Sequence, residues 1–201
     1  MTPIPVAVVG CGAFGRHHAR IYRQLPQAEL VGVYDTDPAR AAAVSQEQGV
    51  AALPSLAAVA AAARAVSIAA PTTAHAALSE ELMAAGCHVL VEKPIAPSLA
   101  EADRMIAAAE RHGRILMVGH LERFNPAVRL IRPRITRPLF FEVHRLSVFT
   151  PRSLDVDVVL DLMIHDLDLV LSFVEAPLSD LQGVGLAVLS PHTDIANVRL
   201  T

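Results

Sequence analysis

A single lysine stands among seventeen basic side chains, and its position suggests acid–base chemistry. Lys93 lies in the triplet Glu92-Lys93-Pro94, directly after a short apolar run, and the other sixteen basic residues are arginines. A lysine can shift its pKa and exchange protons near neutral pH, whereas an arginine stays charged. We therefore interpret Lys93 as a catalytic residue, with an ordinary surface lysine as the alternative.

A second group of polar side chains occurs at helical spacing further along the chain. Asp161, His165 and Asp168 are separated by four and three residues, a spacing that places all three on one face of a helix. Histidine suits proton transfer at neutral pH, and an aspartate one turn away can orient its ring. The alternatives are a solvated acidic face and a metal site. We assign the neighbouring aspartates to a solvated face: Asp155, Asp157 and Asp166.

A glycine-rich segment near the start has the spacing of a dinucleotide-binding loop. Gly10, Gly12 and Gly15 form a GxGxxG sequence that follows an apolar run and opens a helical one. The first glycine permits a tight turn, the second lets the backbone approach a pyrophosphate, and the third lets helix pack on strand. The helix start, with Ala13 and Phe14, would offer free N–H groups to the phosphates.

An acidic residue after the next apolar run favours NAD over NADP. Asp35 lies 20 residues after Gly15, where a carboxylate can accept both adenosine-ribose hydroxyls and repel a 2′-phosphate. Thr36 follows it, with no arginine adjacent. A structural turn followed by a surface aspartate is the alternative. Cys11, between two of the glycines, is predicted to be a small packing residue.

Further polar segments follow apolar runs, and we expect them at the carboxyl edge of a parallel sheet, where ligands bind. Pro71 and Thr72 are predicted cofactor contacts, although Thr72 or Thr73 could instead only cap the next helix. Glu92 and Lys93 are predicted to contact the cofactor from the next such edge. His75, in the first turn of the intervening helix, is predicted to lie on the surface.

Polar residues after residue 119 are predicted to reach the nicotinamide or the substrate. Arg123 and Asn125 are candidate substrate contacts, and Asp168 is a third. Asn125 before Pro126 also fits a helix cap. The arginines in residues 129–137 either form a solvated surface or face an anionic substrate.

These side chains need a scaffold, and the first 120 residues predict a doubly wound α/β fold with a parallel sheet. Apolar runs typical of strands buried on both faces lie at residues 4–9, 29–34, 65–69, 88–91 and 115–118. Helical patterns lie at residues 13–25, 38–48, 56–63, 73–85 and 99–112. Asp37 and Ser98 are predicted N-caps, and Gly49, Gly86 and Gly113 are predicted helix ends.

The alanine content falls sharply along the chain, from 30 alanines in residues 1–110 to 4 in residues 111–201. This change indicates two structural regions with a boundary near residues 119–126. We predict a Rossmann domain over residues 1–120 that binds NAD and an α+β substrate and catalytic domain over residues 121–201. Its predicted elements are helices at 126–132 and 157–174, strands at 139–148, 180–190 and 195–201, and a loop at 149–153. Because the last strand pattern runs to the final residue and would leave an edge unpaired, we expect this domain to be truncated.

Composition excludes several classes of protein. A net charge of −3 offers no basic footprint for nucleic acid. The uncharged stretches are shorter than the roughly 18–20 apolar residues of a membrane span, and no secretory signal is visible. Two cysteines are too few for a disulfide framework. We therefore expect a soluble cytoplasmic protein.

Taken together, the motifs resemble the Gfo/Idh/MocA family of NAD(P)-dependent sugar oxidoreductases. The resemblance runs across all 201 residues and rests on residues 9–15, the triplet at 92–94 and residues 161–168. It implies that Lys93, Asp161 and His165 line the catalytic pocket and that Pro94 follows a cis peptide bond. The segment GHLERFNPAV at 119–128 resembles the corresponding segment of one subgroup of the family, the UDP-N-acetylglucosamine 3-dehydrogenases. The resemblance also implies that the full-length protein is a homo-oligomer.

The resulting hypothesis is hydride transfer between a secondary hydroxyl of a sugar, such as a UDP-amino sugar, and nicotinamide. Either His165 takes the hydroxyl proton while Lys93 hydrogen-bonds the developing alkoxide, or Lys93 is the base; Asp161 orients one or both. The rival hypothesis from another class is a dinucleotide-binding sensor or assembly module without catalysis. An imine or enone reductase on this scaffold is a lesser alternative and would not need the aspartate–histidine pair.

Overall fold

A computed structural model describes residues 2–146 and 156–201. The described residues form two compact units, one ending at Gly119 and the other beginning at His120. None of the helices within these ranges is both long enough and apolar enough to cross a membrane.

Among residues 2–119, six strands form one parallel sheet in the order β3-β2-β1-β4-β5-β6. The strands are β1 (Ile4–Val9), β2 (Ala28–Tyr34), β3 (Ala51–Ala52), β4 (Ala65–Ile68), β5 (His88–Val91) and β6 (Leu116–Val118). The helices are α1 (Ala13–Gln24), α2 (Pro38–Gln48), α3 (Leu56–Ala62), α4 (His75–Ala84) and α5 (Leu99–His112). The predicted doubly wound α/β fold is confirmed, and its topological switch point, where such sheets bind ligands, lies between β1 and β4.

The local signals in the sequence act as predicted in this unit. The last four side chains of β1, residues 6–9, are buried without alternation, with Ala7 and Val8 fully inaccessible, as expected for a strand covered on both faces. The Asp37 carboxylate accepts hydrogen bonds from the first N–H groups of α2, and Ser98 caps α5 in the same way. Gly49 and Gly113 end these two helices in the left-handed conformation. Strand β3 was not predicted, because two alanines carry no strand pattern.

The second unit contains α6 (Pro126–Ile131), α7 (Ile164–Phe173) and an antiparallel hairpin of β7 (Leu181–Leu186) and β8 (Ile195–Leu200). The hairpin confirms the two strands predicted near the end of the chain. The strand predicted at 139–148 is wrong for the described residues 139–146, which form no strand. Leu139, Phe140 and Leu146 are more than four-fifths exposed there. Strand propensity reflects packing against a partner strand, which these described residues lack. Residues 147–148, the loop predicted at 149–153 and Asp155 lie outside the described residues.

The helix predicted at 157–174 is not α-helical along its whole length. Its first turns, Val159–Met163, are π-helical, and the α-helix begins only at Ile164. The Asp157 carboxylate accepts hydrogen bonds from the N–H groups of Val159 and Leu160, so this side chain starts the helix. The sequence pattern assigned Asp157 to a solvated face. In the structure its side chain also caps the helix.

Candidate functional site

The three glycines of the GxGxxG segment after β1 differ in what surrounds them. Gly10 has φ +92°, and a Cβ there would lie 2.5 Å from the carbonyl oxygen of Ala69. A Cβ at Gly15 would collide with the carbonyl oxygen of Gly10. No heavy atom of the described residues lies within 4 Å of a Cβ built at Gly12. The fold therefore requires the first and third glycines, whereas the second opens onto free space that a ligand can fill.

Asp35 is fixed at the end of β2 by two backbone donors. The N–H of Cys11 donates to one carboxylate oxygen at 2.6 Å, and the N–H of Asp37 donates to the other at 2.8 Å. Each oxygen keeps a further lone pair for a ligand hydroxyl. The carboxylate is thus tied directly to the glycine loop.

A cleft of about 420 Å³ joins these parts of the first unit. Its lining residues come from the loops after β1, β2 and β4 and from helices α2 and α4. They include Gly10, Gly12, Asp35, Thr36, Arg40 and Pro71. An open glycine, a helix N-terminus and a fixed carboxylate suit the pyrophosphate and adenosine ribose of NAD. Arg40 was not predicted at this site, because it lies five residues beyond Asp35, in α2, and not next to the carboxylate in sequence.

Cys11 and Thr72 have buried side chains, whereas the side chain of Thr73 is exposed. The Cys11 side chain is buried, and burial, with the nearby charge of Asp35, raises the pKa of its thiol to about 11. Its predicted packing role is confirmed, since an uncharged thiol is a poor nucleophile. Thr72 is buried. Within the described residues no side chain caps the start of α4, so the capping alternative for Thr72 and Thr73 is wrong.

His75 does not lie on the surface, and that prediction is wrong. Its side chain is 1% exposed, and each ring nitrogen lies 2.9 Å from a backbone carbonyl oxygen. Nδ1 contacts Pro94, and Nε2 contacts Ala70. The ring is buried because α4 packs against the sheet with its first residue facing inward, beside the equally buried Ala76 and Ser79.

Glu92 is buried at the end of β5 and is held by a residue of α1. His18 Nε2 lies 2.8 Å from the Glu92 Oε1 atom, and both side chains are about one-tenth exposed. The N–H of Lys93 donates to the second oxygen at 3.3 Å. Burial alone would raise the pKa of the Glu92 carboxyl, but the hydrogen bond and charge of His18 and those of Lys93 hold it below its ordinary 4.5. The Lys93–Pro94 peptide bond is cis, as the family resemblance implied.

This lowered pKa predicts an acid-sensitive contribution of Glu92 to stability. Ionised Glu92 stabilises the fold above pH 4.5, and this contribution is lost as pH falls through the lower pKa of the folded state. We expect Glu92→Gln to lower the free energy of unfolding at neutral pH and the difference from wild type to shrink on acidification. Denaturant unfolding followed by circular dichroism across the acidic range measures this. Glu47, whose ion pair with Arg16 is exposed, provides the control variant Glu47→Gln. A difference that is the same at all pH values would contradict the prediction.

In the second unit, two aspartates of α7 are held by arginines. Arg123 donates two hydrogen bonds to Asp168, at 2.7 and 2.5 Å, and this pairing raises the pKa of the Arg123 guanidinium. Arg145 pairs with Asp166 in the same bidentate way, at 2.8 and 2.7 Å. The assignment of Asp166 to a solvated face is therefore wrong, because its side chain is 14% exposed and paired.

The remaining predicted site residues of the second unit lie on helical segments. Asn125 caps α6, its side-chain oxygen accepting a hydrogen bond from the N–H of Ala127 at 3.0 Å. Asp161 belongs to the π-helical turn, and His165 lies in the first turn of α7. Lys93 belongs to the first unit. In the part of the chain that the structure describes, no group of three or more metal-ligating side chains could hold a metal ion.

Comparisons with known proteins match both units of the chain. Residues 4–120 match the Gfo/Idh/MocA oxidoreductases, whose description includes an NAD-binding Rossmann fold. The chain is 41% identical over 202 residues to UDP-N-acetylglucosamine 3-dehydrogenase of Acidithiobacillus ferrooxidans, across 100% of this chain and 64% of that protein. It is 36% identical over 176 residues to myo-inositol dehydrogenase Hyg17 of Streptomyces leeuwenhoekii, across 82% of this chain and 54% of that protein. The chain thus spans less than two thirds of the length of either relative.

Solved structures of other proteins are also similar to this chain over its whole length. A structure of the Acidithiobacillus ferrooxidans dehydrogenase GnnA has a TM-score of 0.93 and 41% identity, covering 100% of this chain and 66% of that one. GenD2 from gentamicin A biosynthesis, solved in complex with NAD, has a TM-score of 0.86, covers 100% of this chain and 62% of its own, and is 24% identical. The second likeness shows that the fold is shared.

Proposed function

Because this chain belongs to the Gfo/Idh/MocA oxidoreductase family, we propose that it is an NAD-dependent dehydrogenase that oxidises a secondary hydroxyl of a UDP-linked amino sugar. The observation that carries the substrate class is the similarity of the whole chain to a UDP-N-acetylglucosamine 3-dehydrogenase. The 3-hydroxyl of UDP-N-acetylglucosamine is therefore the first candidate for the reacting group.

The residues of the first unit fit the cofactor. Gly10, Gly12 and Gly15, with the N–H groups of Ala13 and Phe14, would hold the pyrophosphate, and Asp35 would accept the adenosine-ribose hydroxyls. Pro71, Thr72 and Glu92 would contact the remainder of the cofactor. When bound, NAD accepts the hydride that leaves the sugar carbon.

The chain's own residues then manage the hydroxyl proton. In the arrangement we favour, His165 takes the proton, since an imidazole titrates near neutral pH, and Lys93 donates a hydrogen bond to the oxygen as negative charge develops. In the reverse arrangement Lys93 is the base. Asp161 orients the proton-carrying groups. The proposed substrate contacts are Arg123, Asn125 and Asp168.

An assay of NADH formation tests the proposal directly. The protein is incubated with NAD and, separately, with UDP-N-acetylglucosamine, UDP-glucose, free N-acetylglucosamine or myo-inositol, and NADH is followed by its absorbance. We expect turnover with the UDP-amino sugar and little with the others. Turnover with myo-inositol alone would overturn the substrate class. Binding of NAD without turnover of any compound would favour the non-catalytic hypothesis.

Replacement of Asp35 tests the preference for NAD. Hydrogen bonds to a charged group contribute about 1.5–3 kcal/mol each, so Asp35→Ser is expected to weaken NAD binding by about 10- to 100-fold. Discrimination against NADP should fall as well, because the repelling carboxylate is gone and Arg40 lines the same cleft. Calorimetric titration with both cofactors measures the two effects. Asp103→Ser, an exposed position on α5, is the control, and equal NAD affinity in both variants would contradict the prediction.

A further inference from the structure

The backbone around Lys93 is held from both sides by histidines of two different helices. On one side, His18 of α1 contacts the Glu92 carboxylate at 2.8 Å. On the other, His75 of α4 contacts the Pro94 carbonyl oxygen at 2.9 Å. Lys93 lies between the two anchored residues. We call this arrangement of His18, Glu92, Pro94 and His75 the histidine clamp.

The His75 contact joins the ends of two neighbouring strands. Its second nitrogen lies 2.9 Å from the carbonyl oxygen of Ala70, which follows β4 and lines the cleft. Its first nitrogen reaches the loop after β5. The ring is almost completely inaccessible to water, so its nitrogens have no solvent partner to exchange for these carbonyls. Because a carbonyl oxygen only accepts and a neutral ring carries one N–H, the ring hydrogen-bonds one of the two loops and packs against the other.

The His18 contact joins the same loop to the glycine-rich segment. His18 lies on α1, whose first turn follows the glycines of the cofactor cleft. Its partner Glu92 is buried with a pKa lowered in spite of that burial, so the pair combines a hydrogen bond with an ionised acceptor. Such charge-assisted hydrogen bonds are shorter and stronger than neutral ones. Displacement of the loop would leave a buried carboxylate without this donor, which is unfavourable.

From these contacts we propose that His18 and His75 are positioning residues that hold Lys93 in place relative to the cofactor loops. The catalytic part of this inference rests on the proposed function, in which Lys93 contacts the substrate hydroxyl. Displacement of a reacting group by about 1 Å can lower a rate by roughly 100-fold. Loss of a clamp contact should therefore lower kcat more than it raises the KM for NAD, because neither histidine itself lines the cleft.

Amide side chains allow each contact to be removed separately. The amide nitrogen of Gln lies near the position of a histidine Nε2, and that of Asn lies near the position of Nδ1. His75→Asn thus keeps the donor toward Pro94, and His75→Gln keeps the donor toward Ala70 instead. A neutral ring carries one N–H and donates from one nitrogen at a time. His75→Asn tests donation from Nδ1, and His75→Gln tests donation from Nε2.

The expected ranking follows from these replacements. His75→Gln and His18→Leu should lower kcat by about 10- to 100-fold. His75→Asn and His18→Gln, which retain the donor toward the lysine loop, should keep most of the wild-type kcat. His17→Leu is the matched control, because His17 is the exposed neighbour of His18 on the same helix. Equal kcat for His75→Asn and His75→Gln would overturn the proposal.

The single lysine provides a readout that does not depend on activity. Protein made with ¹³C-labelled lysine gives one side-chain signal, that of Lys93. We expect restricted motion of this side chain in the wild-type protein, and a shifted, more mobile signal in His75→Gln and His18→Leu. Relaxation typical of a free lysine in the wild-type protein would overturn the proposal even if no variant folds. A restricted wild-type signal that responds to these variants, in a protein that oxidises no sugar, would support the clamp and overturn the proposed function.

Discussion

Replacement of Lys93 by methionine is expected to lower kcat for sugar oxidation by about 10²- to 10³-fold if Lys93 is a donor to the developing oxyanion, and by up to about 10⁴-fold if it is the base. Methionine keeps most of the length and apolar surface of the lysine stem but removes its charge and its three donors. The developing negative charge on the substrate oxygen would lose a donor in a site where electrostatic stabilisation is worth most. The affinity for NAD should change little, because the glycine loop and Asp35 supply the main cofactor contacts.

A second variant separates the charge of Lys93 from its capacity to exchange a proton. Lys93→Arg keeps a positive charge that cannot be deprotonated in the working pH range. If Lys93 only stabilises the oxygen, the arginine variant should retain more activity than the methionine variant, and His165 should carry the pH dependence. If Lys93 is the base, both variants should be equally inactive. Rates measured at saturating NAD, with NAD binding followed separately, distinguish these cases. Wild-type turnover in Lys93→Met would remove the lysine from the mechanism.

The sheet and the glycine loop could be predicted because their signals are local. A parallel strand covered on both faces appears as a continuous apolar run, and β1 and β5 lie where those runs were found. Helix ends are marked by single residues such as Asp37 and Gly113, whose effect does not depend on the rest of the chain. The second unit gave weaker signals. Residues 139–146 carry β-forming side chains, but a strand requires a partner that no local pattern specifies.

The clamp histidines were missed for a different reason. Their contacts join residues far apart in the chain, 74 positions for His18 with Glu92 and 19 for His75 with Pro94. Helical periodicity nevertheless contained a usable signal. Gly15, His18 and Ala19 follow the i, i+3, i+4 spacing of one helix face, and the face that carries the third glycine of the motif must pack on the sheet. The same reasoning places His17 outside, which agrees with its exposure.

Substitution of Gly12 by alanine is expected to abolish most cofactor affinity while leaving the fold intact. Gly12 has φ −69°, an ordinary value for alanine, and the space around its Cβ position is free of the described protein atoms within 4 Å. A methyl group there would occupy the side from which a pyrophosphate approaches the backbone. Each lost hydrogen bond to the charged phosphates contributes about 1.5–3 kcal/mol, so NAD binding should weaken by at least about 10-fold. The free energy of unfolding without cofactor should stay within about 0.5 kcal/mol of wild type.

Gly15→Ala provides the opposite case at the third glycine of the motif, which lies in α1. Its methyl group would collide with the backbone carbonyl of Gly10, which cannot rotate away as a flexible side chain would. Alanine gains about 0.5–1 kcal/mol over glycine in a helix interior, but overpacking of this kind typically destabilises by about 1–3 kcal/mol, so the collision outweighs the gain. Unfolding and NAD titration of the two variants should therefore separate, with Gly15→Ala losing stability and Gly12→Ala losing affinity. Loss of stability in Gly12→Ala, or unchanged NAD affinity, would mean that the open side of the loop is not where the cofactor binds.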